Sequence, residues 1–216
     1  MSVRLGIAAL GCIAAVALPA CTINAPAREA PALYDLGPRA AAGRRDRRIP
    51  GTLLIPAVAS PAWLETTGIV YRLNYDDPNR LRAYNTARWV STPAMLLTEE
   101  LRSRFAGPVD QVVGAVDGTQ ADYVLRVDLE DYTQSFDAPD RSRVALRVRA
   151  TLVDRRTRAV MAQHAFTAGR AAEPNAAGAA DALADCAGEM IENMLDWVAQ
   201  NLKNSGAPST ADRSAR

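Results

Sequence analysis

Chemistry in a protein needs a nucleophile, a titrating group or a set of metal ligands, and this chain is sparing with all three. It carries one histidine, His164, and three cysteines, Cys12, Cys21 and Cys186. Zinc sites draw on several His and Cys side chains at set spacings; one imidazole and scattered thiols do not supply one. Asp128, Glu130 and Asp131 are close enough to hold a cation or share a proton. They lie, however, on an alternating run that can pair with another carrying Arg147 and Arg149, a spacing that fits a solvated ion-pair face. Ser60 has no nucleophile elbow around it, and no glycine-rich phosphate loop occurs. His164 shares the parity of Val160 and Phe166, the place of a core or edge histidine. We therefore expect a protein that is not an enzyme and uses no cofactor or metal. Cys21 is the exception, because its surroundings fit modification.

Met1 to Arg4 carry one positive charge, and an apolar run follows from Leu5 to Leu18. This is the layout of a secretory signal peptide, too short to span a bilayer, which takes about 20 apolar residues. It ends in Leu18-Pro19-Ala20-Cys21, which resembles a bacterial lipobox. The resemblance implies cleavage after Ala20 and acylation of the Cys21 thiol, with palmitate among the acyl groups. One chain gives only reversible membrane binding, whereas several on one residue hold firmly. Thr22 follows, where an Asp would favour inner-membrane retention, so the implied address is the periplasmic face of the outer membrane.

Composition bounds the remainder. Excluding residues 1–20 leaves one domain of ordinary size, able to bury a real core. The 25 basic and 24 acidic residues give a net charge of +1, so no overall field points to nucleic acid. With Cys12 in the signal and Cys21 acylated, Cys186 has no intrachain partner and no disulfide framework is expected.

The elements that would position any site follow in order. Residues 21–33 read as a tether, small, polar and Pro-containing. Tyr34-Asp35-Leu36 suggests a short strand ended by Gly37-Pro38. Gly43 to Arg48 is a basic run, read as a solvated loop. Thr52 to Val58 is a strand near a sheet edge, since Pro56 cannot serve a central ladder. Pro61-Ala62-Trp63-Leu64 makes a tight corner before a strand at Gly68 to Leu73. Asn74 to Leu81 has turn chemistry leading into a short helical or irregular segment ending near Tyr84, and Thr86 to Val90 reads as another short strand. Thr92 caps a helix with Pro93 at its first position; Met95, Leu96, Leu97, Leu101 and Phe105 form its stripe until Gly107-Pro108.

Taken together, Tyr34-Asp35-Leu36, Leu53-Leu54-Ile55, Pro61-Ala62-Trp63-Leu64, Ile69-Val70-Tyr71-Arg72, Tyr75, Leu81, Tyr84, Trp89 and Pro93 resemble the ABC-type transport auxiliary lipoproteins, the group that includes paraquat-inducible protein C. The resemblance runs from Tyr34 to the C-terminal helix. It implies a periplasmic lipoprotein with a compact α/β domain, working with an MCE-domain protein of a lipid transport system. The MCE assembly is oligomeric, so a ring or other homo-oligomer is expected, against the alternative of a monomer meeting its partner singly.

Residues beyond that point have their own pattern. Tyr123, Leu125, Val127 and Leu129 alternate with a largely charged set, as do Val144, Leu146, Val148, Ala150 and Leu152. Paired around Ala138-Pro139-Asp140, they would place Asp128 opposite Arg147 and Val127 opposite Val148. Asp154 to Thr157 turns into a third strand, Ala159 to Phe166, giving an antiparallel meander. Asn175 opens a final helix with Leu183, Ala187, Met190, Ile191, Met194, Val198 and Leu202 on one stripe, and Cys186 beside it as an inert buried thiol. Residues 204–216 read as a disordered tail. The expected fold is a mixed α/β (α+β) sheet domain over residues 34–203 with packed helices, the C-terminal one long.

Two functions of different class fit: the transport auxiliary lipoprotein, and an envelope lipoprotein that regulates a cell-wall synthase or another periplasmic machine. Trp63, Tyr71, Tyr75, Tyr84 and Trp89 stand out in a chain that is only 6% aromatic, as core or as interface. The anchor itself is testable. Cys21→Ser should abolish metabolic labelling with a tagged fatty acid and move the protein out of the membrane fraction; an unlabelled protein that stays membrane-bound with its signal removed contradicts the anchoring argument.

Overall fold

The computed structural model describes residues 29–38, 48–114 and 120–206. In chain order the strands and helices are β1 (Ala32–Tyr34), β2 (Ile49–Leu54), β3 (Gly68–Leu73), β4 (Asp77–Trp89), α1 (Pro93–Phe105), β5 (Val109–Val113), β6 (Tyr123–Ala138), β7 (Arg141–Asp154), β8 (Val160–Ala172) and α2 (Ala176–Gly206), with a single 3-10 turn at Ala62–Leu64. The fold is mixed α+β: an open eight-stranded sheet carrying two helices.

The alternating runs at Tyr123 and Val144 form the long central hairpin β6–β7, and β8 completes the antiparallel meander. The other edge of β6 is used twice. Its first residues pair in parallel with β2, Leu53 opposite Tyr123 and Leu54 opposite Val124. Its last pair in parallel with β3, Tyr71 opposite Gln134 and Leu73 opposite Phe136. Ala59 bridges the gap, its N–H donating to the Val127 carbonyl at 3.0 Å and its carbonyl accepting from Leu129 N–H at 2.7 Å. β5 lies outside β2, and β4 and β1 outside β3. β2 thus lies one strand in from an edge and ends before Pro56, as a residue without an N–H requires.

Two local expectations are corrected. Asn74 to Leu81 does not enter a helix: Asn74–Asp76 turns a hairpin, and one 13-residue strand, β4, runs from Asp77 through Tyr84 to Trp89. The strand was hidden because Asp77 to Arg80 are all exposed, so no alternation marks its start. Pro78 is tolerated there because β1 pairs only with Ala87 to Trp89, leaving the beginning of β4 partnered on one side. The β6–β7 register also differs: Asp128 lies opposite Arg149, and Val127 opposite Ala150. Ala138 and Arg141 close the turn, and irregularities between Phe136 and Ala138 and between Leu129 and Asp131 then set the alignment. The offset of two residues keeps every side chain on its expected face while changing its partner.

Both helices cover one face of the sheet. The α2 stripe from Leu183 to Leu202 is buried, together with Leu125, Val127 and Leu129 of β6 and the apolar residues of β7 from Val144 to Leu152. Asn175 caps α2, its Oδ1 accepting from Gly178 N–H at 2.8 Å. Gly178 is needed at that point, because a Cβ there would lie 2.7 Å from the Glu173 carbonyl oxygen. The helix continues past Asn204, the expected start of a tail, to Gly206; residues 207–216 lie outside the described residues. On α1, Leu96, Leu97, Leu101 and Phe105 are buried, but Met95 of the expected stripe is 44% exposed. Thr92 adopts the extended cap conformation without a side-chain cap bond.

Trp89 is 1% exposed and meets Tyr132 with ring centroids 5.5 Å apart. Truncating it should therefore remove about 3–5 kcal/mol of stability, whereas Met95→Ala should stay within about 0.5 kcal/mol. Equilibrium urea unfolding of both variants checks the contrast.

Candidate functional site

Cys21, residues 21–28 of the tether and residues 43–47 of the basic run lie outside the described residues. The five singled-out aromatics are divided by the fold into separate places. Trp89 is in the core against Tyr132. Tyr71 and Tyr84 face each other across β3 and β4 at 4.6 Å, and Tyr71 meets Phe136 edge-on at 5.7 Å. Trp63 is half-buried in the 3-10 turn with the Arg72 guanidinium 5.7 Å above its ring, a cation–π distance. Tyr75 sits at the β3–β4 hairpin tip, 49% exposed. Among the described residues no ring contact joins Trp63 or Tyr75 to the others.

Behind Tyr84 lies a polar network that the sequence reading missed. Gln134 is fully buried. Its Oε1 accepts from the Tyr84 hydroxyl at 2.7 Å, and its Nε2 donates to Ser142 Oγ at 2.8 Å and to the Glu173 carbonyl at 2.9 Å. Ser142 Oγ in turn donates to the Ala172 carbonyl at 2.9 Å. The group ties β4, β6, β7 and the end of β8 to the entry of α2, and each amide atom has a partner, as a buried amide requires. Only strand pairing could have signalled it, because Gln134 and Ser142 are eight residues apart across a hairpin.

The candidate chemical groups are engaged elsewhere. Glu130 accepts from Arg149 at 2.6 Å on the exposed face, and Asp131 accepts from Thr133 Oγ1 at 2.9 Å. His164 is exposed on the edge strand β8, its ring 4.6 Å from Phe166 and 6.2 Å from Trp197. Cys186 is buried, and burial pushes its thiol up, with Arg170 partly opposing; that disfavours the reactive thiolate. Arg170 itself is held by Asp185 at 2.6 Å and Glu189 at 2.7 Å on α2. No group of three His, Cys, Asp or Glu among the described residues could hold a metal ion, and no helix there is long and apolar enough to cross a membrane.

What the geometry offers is a surface. Opposite the helices, β7 presents Arg141, Arg143, Arg147 and Arg149, all exposed, and register places Thr167 of β8 beside Arg147. Neighbouring β6 contributes Arg126 and Asp128, also exposed, and half-buried Glu130. Such a face offers distributed charge rather than a convergent pocket.

A family model described as ABC-type transport auxiliary lipoprotein component matches residues 34–196. No match is found among curated proteins. Among solved structures, a protein of Xanthomonas campestris is similar at 17% identity with a TM-score of 0.72, covering 80% of this chain and 97% of that one. An uncharacterized protein aligns at 17% identity and a TM-score of 0.61, covering 79% and 99%. A hypothetical protein of Chlamydia trachomatis gives 9% identity and a TM-score of 0.51, covering 71% and 98%. Identities this low carry likeness of fold alone.

Burial raises the Tyr84 hydroxyl to about 12, with Tyr71 adding to the effect, and burial raises Tyr132 further still. Both groups stay protonated in the folded protein at pH values where the unfolded chain ionises near 10. Stability should therefore be intact below pH 10 and fall from about pH 10 upward, through about 12 for Tyr84. Unfolding curves taken across that range for wild type and Tyr84→Phe should show a shallower fall in the variant; identical slopes would count against the assignment.

Proposed function

The chain belongs to the ABC-type transport auxiliary lipoprotein family, and from that premise we propose that it is a non-catalytic, outer-membrane-anchored periplasmic lipoprotein serving an MCE-type lipid transport system. The observation that carries this reading is the family match over residues 34–196, most of the chain beyond the signal-like segment. As an auxiliary component of a transport system, the protein works with partners. In the proposed arrangement acylated Cys21 holds the chain in the outer membrane, residues 21–33 let the domain stand off, and the domain meets the MCE-domain protein as a ring or other homo-oligomer. A tether raises the effective concentration of a membrane-adjacent partner without any new contact.

The helix-free face supports the docking part of this reading. Its charges are exposed, and no helix among the described residues lies across them. Charged faces of this kind set partner choice and encounter rate more than raw affinity.

A photo-crosslinking amino acid at Thr167, followed by identification of the captured protein from intact cells, tests the proposal. We expect an MCE-domain protein, and we expect Arg147→Gln with Arg149→Gln to cut its capture about tenfold while costing no more than about 1 kcal/mol, the scale of the exposed Arg149–Glu130 pair that is lost. Capture of a cell-wall synthase would replace this reading with the envelope-regulator alternative.

A further inference from the structure

The helix-free face is not charged throughout. At the end where β2 and β5 join the sheet, register aligns one residue from each of five strands: Val113 of β5, Leu54 of β2, Val124 of β6, Val153 of β7 and Val160 of β8. All five are apolar and share the face opposite the helices. They span four inter-strand steps of about 4.8 Å, roughly 19 Å in all, the length of an extended long acyl chain. Val160, at the outer end, is 63% exposed. A cleft of about 550 Å³ lies over four of the five, lined by Leu54, Val124, Val153 and Val160 with Pro56 beside them, and Arg126, Arg155 and Arg158 at its rim, and Val113 continues the row beyond it.

The rim is cationic and available. Among the described residues none of the three guanidinium groups forms an ion pair. Two carboxylates on the adjoining turns already accept backbone bonds: Asp154 Oδ1 from Thr157 N–H at 2.9 Å, and Asp122 Oδ2 from Thr52 N–H at 2.8 Å. The Thr157 and neighbouring backbone bonds hold the Asp154 carboxyl below its usual range, so it remains charged and committed to its turn. An apolar row with free guanidinium groups along its border matches a hydrocarbon chain with an anionic head, since guanidinium forks pair with carboxylate or phosphate oxygens.

We propose that this cleft binds a single acyl chain bearing an anionic head group, the chain along Val113, Leu54, Val124, Val153 and Val160 and the head among Arg126, Arg155 and Arg158. The inference deepens the transport reading and rests on it for the source of the lipid; the binding itself is measured without transport.

Full-length protein carrying Cys21→Ser, so that no acyl group of its own competes, is titrated calorimetrically with palmitate and with palmitoyl lysophosphatidylglycerol, each below its micelle concentration. Palmitoyl lysophosphatidylcholine supplies the same chain on a head without net charge. Saturable binding of either anionic probe, at least tenfold tighter than the control, is expected, and the two arms separate a fatty-acid from a phospholipid source. A diazirine on the chain should label peptides containing Leu54, Val124, Val153 or Val160. Arg126→Gln with Arg155→Gln should remove the preference over the control. Val160→Asp, at a position exposed enough to leave folding intact, should weaken all three probes. Unsaturable partitioning, labelling elsewhere, or unchanged binding in both variants overturns the proposal. So does concentration-dependent self-association that Val160→Asp abolishes in a protein that binds no probe, since the row would then be an interface between copies. Lack of probe binding with intact capture of the MCE-domain protein rejects this inference alone; probe binding with no such capture rejects the transport reading instead.

Discussion

β6 is 16 residues long, and most of it is buried, so its backbone needs hydrogen-bond partners along both edges. β7 serves one edge for the whole length, but no single strand serves the other. β2, the single bridge at Ala59 and β3 do so in turn, all parallel to β6. That arrangement fixes much of what surrounds it. The chain between β2 and β3 has to leave the ladder at Pro56, touch it at Ala59 and return at Gly68, and the excursion is where Trp63 and Leu64 are placed. β3 then hands the chain to β4, and β2 pairs with β5, so both wings of the sheet are set by which strands pair with β6.

Parts of this were legible in the sequence for a physical reason. Strands with one buried face show it as period-two alternation, which is why the meander, and the parity of Tyr123 to Glu130 in β6 and of Val144 to Leu152 in β7, could be read off directly. The α2 stripe was equally plain, since Leu183 to Leu202 obey one helical period and all meet the sheet. Alternation says nothing about partners, however, and the β6–β7 register depended on irregularities near Asp137 and Glu130 that carry no marker in sequence. β4 was missed where both of its faces are wet. The aromatics were noticed by composition and then scattered by topology, Trp89 to the core and Tyr75 to a hairpin tip.

The surface features were hidden by the same limit. Along β6 the residue Val124 reads as one member of a charged set with Arg126, Asp128 and Glu130. Only when β2, β5, β7 and β8 are aligned with it does it become the middle of an apolar row. Gln134 is the mirror case: a polar residue on an apolar face, which makes sense only beside Ser142, Tyr84 and the Glu173 carbonyl. Cross-strand neighbours, not sequence neighbours, define both.

The two faces of the sheet consequently answer to different demands. The helix-covered face carries the buried core and the Gln134 network, where a lost methylene or an orphaned amide costs stability directly. The other face carries arginines, carboxylates and one apolar row, most of it accessible, with Val124 alone of the row buried at 7% exposure. Substitutions there act on encounter and binding with little effect on folding, so charge pattern and apolar row can be altered while the scaffold stays constant. A tethered domain gains from that separation. In the proposed arrangement a partner at the helix-free face would be held at high effective concentration, so modest complementarity would suffice. Among the described residues Arg126, Arg155 and Arg158 form no ion pair and border a hydrocarbon surface, and that combination favours an amphiphile over a purely polar ligand.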